Sequence, residues 1–165
     1  MPRLDICVGI NTGTMLVGNM GSKRRFNFTV IGDSVNLASR LEGLNRQFGT
    51  DIIISEGTLH QVKGQVVARE LDLIRVKGKT QPVQVYELRG LAADLPRHSD
   101  LVGRFAMGLE AYRNAQWNTA IEIFEALARD YPQDAPSHVF LKRCRDLLTR
   151  PPEGSWDGVF VMKSK

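Results

Sequence analysis

Apolar and polar positions alternate at two periods along the chain, and the switches between them divide it into elements. Residues 4–10 (LDICVGI) are a β-branched apolar run that ends in the turn signal Asn11-Thr12-Gly13, and 14–17 (TMLV) turn apolar again. That arrangement predicts a hairpin, with a glycine-rich and basic loop over 18–25 after it. Residues 26–31 (FNFTVI) alternate at period two, as in a strand with one wet face. Gly32-Asp33-Ser34 opens a helix with Asp33 as its expected N-cap. Leu37, Leu41, Leu44 and Phe48 then recur at helical spacing, up to Gly49 as the expected stop. Residues 51–55 (DIIIS) predict a short buried strand leading into a helical segment over 56–62. Two strand patterns over 66–76 and 82–88 flank a turn at Lys77-Gly78-Lys79. The order β, β, β, α, β, α, β, β predicts an α+β layer with a mostly antiparallel sheet. Past a change of composition at 92–100, amphipathic helices are expected over 101–115, 117–130 and 134–149, with a break at Pro132. The tail over 156–162 (WDGVFVM) alternates like a docked strand.

Composition narrows the class. At 165 residues and 42% hydrophobic, the chain can bury one modest core. No window approaches 18 consecutive apolar residues and no apolar stretch follows a basic flank at the N-terminus, so a cytoplasmic setting is the expectation. Cys7 and Cys144 stand outside any CxxC pattern and the three histidines are scattered, which suits reduced thiols better than a disulfide or zinc site. The positive charge is uneven. Residues 1–93 carry 12 Lys/Arg against 8 Asp/Glu, while 94–165 carry 10 against 10. An excess confined to the first part fits an anionic ligand there.

Four features could meet such a ligand. Asn36 and Arg40 are one helical step apart, so they project from one face about 6 Å apart along the axis, near the positive end of the helix. The spacing is equally that of an exposed polar stripe beside the leucine stripe. Glycines 18 and 21 could lie against phosphates, yet the order GxxxxGK[ST] is absent. Lys77 and Lys79 could grip a polyphosphate as point charges, or simply be solvated turn residues. Lys23-Arg24-Arg25 reads as a solvated loop; with few aromatic neighbours for base stacking, no nucleic-acid partner is expected. Asp33, a lone carboxylate, predicts no metal site.

Taken together, VGINTG (8–13), VGNMGS (17–22), FTVIGDSVNLASRLE (28–42) and VKGK (76–79) resemble the second half of a class III adenylate/guanylate cyclase catalytic domain, a likeness that spans about residues 4–90. Gly108, Ala120, Phe124 and Pro132 stand at the spacing of one tetratricopeptide (TPR) repeat, which residues 93–150 resemble. One such unit cannot bury its own face and should dock on the first domain or on a partner. The domains expected are 1–92, 93–150 and a tail over 151–165.

The cyclase resemblance implies a partial ferredoxin-like sheet with helices, a small helical segment behind it, and a head-to-tail dimer with sites at the interface. It implies that Asn36 orients the ribose and that Arg40 neutralises charge on the α-phosphate. Lys77, with Lys79 as a lesser substitute, would hold the β/γ-phosphates, while Thr29 would read the purine and favour ATP. Mg2+ or Mn2+ would serve the complete enzyme, but the two aspartates that hold it in the family precede the stretch seen here, and Asp5 matches neither motif. The chain is therefore expected to be the C-terminal part of a longer cyclase, inactive alone and working as a homodimer or with a complementing protomer. It could also be the cytosolic end of a membrane-anchored protein. The alternative is a non-catalytic regulatory or dimerisation module with a protein partner for its helices.

Overall fold

The helix that carries the Leu37 stripe organises everything before residue 92. In the computed structural model, which describes residues 6–22, 25–75 and 81–161, α1 runs Asp33–Phe48. Leu37, Leu41, Leu44 and Phe48 are all buried on one face, as their spacing demands. Gly32, not Asp33, stands at the N-cap, and no side chain caps the helix. Asp33 lies inside the first turn, where its charge still meets the positive end of the macrodipole. Gly49 ends the helix in the left-handed region (φ 69°), its N–H donating to the Asn45 carbonyl at 2.7 Å.

The strands are β1 (Val8–Ile10), β2 (Leu16–Ser22), β3 (Arg25–Ile31), β4 (Ile52–Ser55), β5 (Val66–Arg75), β6 (Val83–Leu91) and β7 (Phe160–Val161). A short helix, α2 (Glu56–Gln61), follows β4; Ser55 caps it through Thr58. Five strands form one sheet in the order β1-β4-β6-β5-β7, and β2 and β3 form a separate ribbon. The expected hairpin of residues 4–17 does not form. β1 pairs in parallel with β4, Gly9 opposite Ile53, and the hairpin is instead β2–β3, with Leu16 opposite Ile31.

Backbone contact decides the difference. An added Cβ at Gly9 would lie 2.2 Å from the Ala38 carbonyl oxygen, so β1 presses directly on α1. Asn45, fully buried, donates to the Val8 carbonyl at 2.9 Å and accepts from Thr50. The expected glycine-rich loop is likewise strand over residues 18–22, because each position finds a partner across the ribbon. The sheet is mostly antiparallel, as expected: β4–β6 and β6–β5 are antiparallel at its centre, and short β1 and β7 add in parallel at the two edges. The turn expected at 77–79 lies outside the described residues.

β5 buries Val67, Arg69 and Leu71, then Asp72 and Ile74. A register irregularity between Glu70 and Asp72 shifts the alternation by one residue and turns Asp72 inward.

A 3-10 turn (Ala92–Asp94) leads into α3 (Leu95–Arg113), α4 (Trp117–Asp130) and α5 (Ala135–Thr149). α3 begins six residues before its apolar pattern does. The Asp94 carboxylate accepts from the Leu91 N–H and Pro96 is pre-set for the first turn, so polar residues start the helix. Gly108 lets α3 meet α4, where a Cβ would come 2.8 Å from the Phe124 ring.

The helices share one core with the sheet, from Leu37 and Leu71 to Phe105, Phe124 and Cys144. Phe140 of α5 is its hub, in ring contact with Phe48, Phe105, Tyr112 and Phe124. The tail closes over the same side. Trp156 packs on Tyr112 and Trp117 and donates to the Tyr112 carbonyl at 3.2 Å, and β7 then pairs with β5.

Charge reinforces this seam. From β5, Arg69 pairs with Asp134, Glu70 with Arg113, Asp72 with Arg143 and Arg75 with Asp157. The last pair is exposed and contributes little. Arg69 is different. It is buried between Glu87 and Asp134, over the Phe105 ring at 4.5 Å, so removing it would leave two buried carboxylates sharing Arg89 as their remaining guanidinium, at a cost of about 3 kcal/mol. Cys7 and Cys144 are free thiols; burial pushes Cys144 up to about 12. No helix among the described residues is long and apolar enough to cross a membrane.

Candidate active site

α1, β3 and the turn after β1 meet at one end of the sheet. Asn36 sits in the first turn of α1, its N–H bonded to the Gly32 carbonyl at 3.1 Å, and its side chain is exposed. Arg40 follows one step along the same face and is half-buried. Among the described residues neither side chain has a hydrogen bond or ion pair, whereas most other arginines are tied to carboxylates. Arg97 and Arg150 also have no ion pair among the described residues but are exposed; a guanidinium that is partly desolvated and unspent in the fold is suited to an anion from outside.

Thr29 lies on β3, half-buried, with Gly18 opposite it in the ribbon. A Cβ at Gly18 would meet nothing within 4 Å, so the space beside the Thr29 hydroxyl is open. A hydroxyl there can donate or accept. β3 feeds α1 through Gly32, and this direct connection brings Thr29 to the end of the helix that bears Asn36. Lys77 and Lys79 lie outside the described residues, as do Lys23 and Arg24.

The surrounding turn is held by side chains whose role the sequence did not advertise. Asn11 Nδ2 donates to the Ser34 carbonyl at 3.0 Å, and Thr12 bonds Thr58 at 3.0 Å. The first bond ties the turn to the start of α1, and the second ties it to α2. The sequence reading also missed how exposed the ribbon's apolar side chains are: Leu16 at 71% and Phe28 at 75%, beside Val17 and Ile31. Strand alternation alone does not say whether a ribbon packs on its own core.

A cavity of about 320 Å³ opens elsewhere, between β6 and the α4–α5 turn, lined by Arg89, Leu101, Tyr131 and Asp134. Neither Asn36 nor Arg40 borders it. Among the described residues no three His, Cys, Asp or Glu side chains gather as metal ligands.

The adenylate and guanylate cyclase catalytic domain model matches residues 2–90. Adenylate cyclase 1 of Rhizobium meliloti (strain 1021) is 40% identical over 91 residues, 55% of this chain and 14% of that protein. The terminal-differentiation specific adenylate cyclase of Dictyostelium discoideum is 30% identical over 142 residues, 83% of this chain and 7% of that protein. Since the family match ends at residue 90, an alignment of that length reaches into the helices. The solved adenylyl cyclase CyaB from P. aeruginosa is 42% identical with a TM-score of 0.44, over 49% of this chain and 40% of that one. The chain thus spans less than a fifth of the length of these two relatives. With a match over more than half its residues, it belongs to the adenylate and guanylate cyclase catalytic domain family.

Proposed function

We propose that the chain forms the nucleotide-anchoring half of an adenylate cyclase site, converting ATP to cyclic AMP and pyrophosphate together with a protomer that brings the metal-binding half. The observation that carries this reading is the pair Asn36 and Arg40 on one face of α1, with Arg40 half-buried and unpaired among the described residues. In the reaction the ribose 3′-oxygen bonds to the α-phosphorus and loses its proton to solvent. The bond to the pyrophosphate oxygen breaks with its electron pair. Asn36 orients the ribose for that attack. Arg40 faces the charge that builds on the α-phosphate, where a preorganised cation lowers the barrier more than it aids binding. Lys77 holds the β/γ-phosphates.

Thr29 accepts from the adenine amino group. That relatives at 38–40% identity are adenylate cyclases supports ATP over GTP. The family works with divalent metal ions, whose ligands belong to the other half of the site. The apolar ribbon, with Leu16, Val17, Phe28 and Ile31 exposed, seats the partner protomer.

The test mixes this chain with a cyclase catalytic domain that keeps its metal aspartates but is disabled at its own Asn and Arg positions. Cyclic AMP synthesis is expected from the mixture and from neither part. Arg40→Ala in this chain should lower kcat about 100-fold or more. Near-normal turnover by Arg40→Ala would remove the assigned role. Binding without restored synthesis would point to a non-catalytic regulatory or dimerisation module.

A further inference from the structure

One side chain of α5 touches both elements that lead to the site. Arg143 Nη1 donates to Asp72 Oδ2 of β5 at 2.7 Å. Its guanidinium carbon also lies 5.2 Å from the ring centroid of Phe48, the last residue of α1, and 5.0 Å from that of Phe140. Phe140 stacks on Phe48 at 6.3 Å. At Gly49 a Cβ would come 2.4 Å from the Ala135 Cβ, so α1 ends flush against the first residue of α5.

Elsewhere hydrogen bonds tie α1 to β1 and the turn after it, from Asn45 to the Val8 carbonyl and from Asn11 to the Ser34 carbonyl; none of these reaches β5. Leu37, Leu41 and Leu44 face the core through apolar contact, which is non-directional and tolerates a small tilt. Arg143, itself fixed by a directional charge-assisted bond to the fully buried Asp72, presents a held guanidinium to Phe48 and so links the end of α1 to β5. Phe48 and Asn36 are twelve residues apart, about 18 Å along a stiff helix, so a tilt at one end reappears at the other.

We propose that Arg143 is a positioning residue for the nucleotide site: by gripping Asp72 and Phe48 together, it sets the direction of α1 against β5 and thereby the placement of Asn36 and Arg40. The helical segment is then a working part of the catalytic scaffold, and an effector that shifts α5 would change turnover. This inference rests on the roles given above to Asn36 and Arg40. A displacement near 1 Å at a reacting centre costs about 100-fold in rate, so a modest loosening of this grip is measurable.

Arg143→Met keeps the stem and removes the charge, while Arg143→Lys restores the charge without the planar fork. In the complementation mixture, R143M should lower kcat per folded chain about tenfold with KM for ATP within about twofold. R143K should recover most of that loss. Unchanged kcat per folded R143M overturns the proposal.

Hydrogen exchange on the full chain, without nucleotide, supplies the independent reading. Peptides from α1 in R143M should exchange at least about tenfold faster than in the unsubstituted chain, with those from the α3–α4 pair within about twofold. If the unsubstituted chain makes no cyclic AMP in the mixture, the proposed function fails, and exchange alone decides the positioning role. Unchanged α1 exchange overturns that role. Should R143M not fold, Phe48→Leu removes the ring that Arg143 meets on α1 while leaving the Asp72 ion pair intact, and its α1 exchange against that of the α3–α4 pair is read in the same way.

Discussion

Asp72 shows how far burial can override a favourable partner. Desolvation pushes its carboxyl from 3.8 up to about 6, against the opposing charge and hydrogen bond of Arg143, the Leu73 N–H and the charge of Arg113. A folded value above the unfolded one means that the native state binds the proton more tightly. The stability this contributes is therefore full below about pH 4 and is lost as pH rises through 6. Denaturant unfolding of the wild-type chain and of Asp72→Asn, compared from about pH 7.5 to about pH 5, should show the difference moving by about 1 kcal/mol in favour of the wild type as pH falls. A difference that stays flat would show that Asp72 does not titrate in this range. Asn36 and Arg40 were legible at this scale, because helical spacing puts them on one face wherever the helix packs. Arg69 was not. Its partner Asp134 is 65 residues away, and no local pattern announces a buried guanidinium between two carboxylates.

Among the elements, α1 was legible from its leucine stripe and its glycine stop, and so were the three C-terminal helices. The partner of β1 was not, since a short apolar run beside a turn signal pairs as readily with its sequence neighbour as with a distant strand. What settles it is the fit of Gly9 against the backbone of Ala38 and Glu42. Gly9→Ala should therefore lower unfolding stability by about 3 kcal/mol and the melting temperature by roughly 10 °C, measured by calorimetry. A loss under about 0.5 kcal/mol would show that β1 can lift off α1 freely. The glycine-rich strand β2 was missed for a related reason. In a ribbon whose side chains need little burial, pairing across the ribbon can override weak strand propensity.

Across the whole molecule, the cyclase part and the helices bury each other. Phe48, Leu71, Ile74 and Val85 would face water without α3 and α5, and Arg69 and Asp72 would lose Asp134 and Arg143. Residues 1–92 expressed alone should thus lack a cooperative unfolding transition and the near-ultraviolet dichroism of packed aromatics. A sharp transition in that fragment would show that the helices are an independent unit. Local pattern sufficed for the helices, most strands, the family and the paired amide and guanidinium, because periodicity and motif are properties of neighbouring residues. Strand partners, the shared Phe140 core and the ionic seam along β5 depend on groups tens of residues apart. Their energies exist only once the chain has closed on itself, when burial makes each charge and each missing Cβ count.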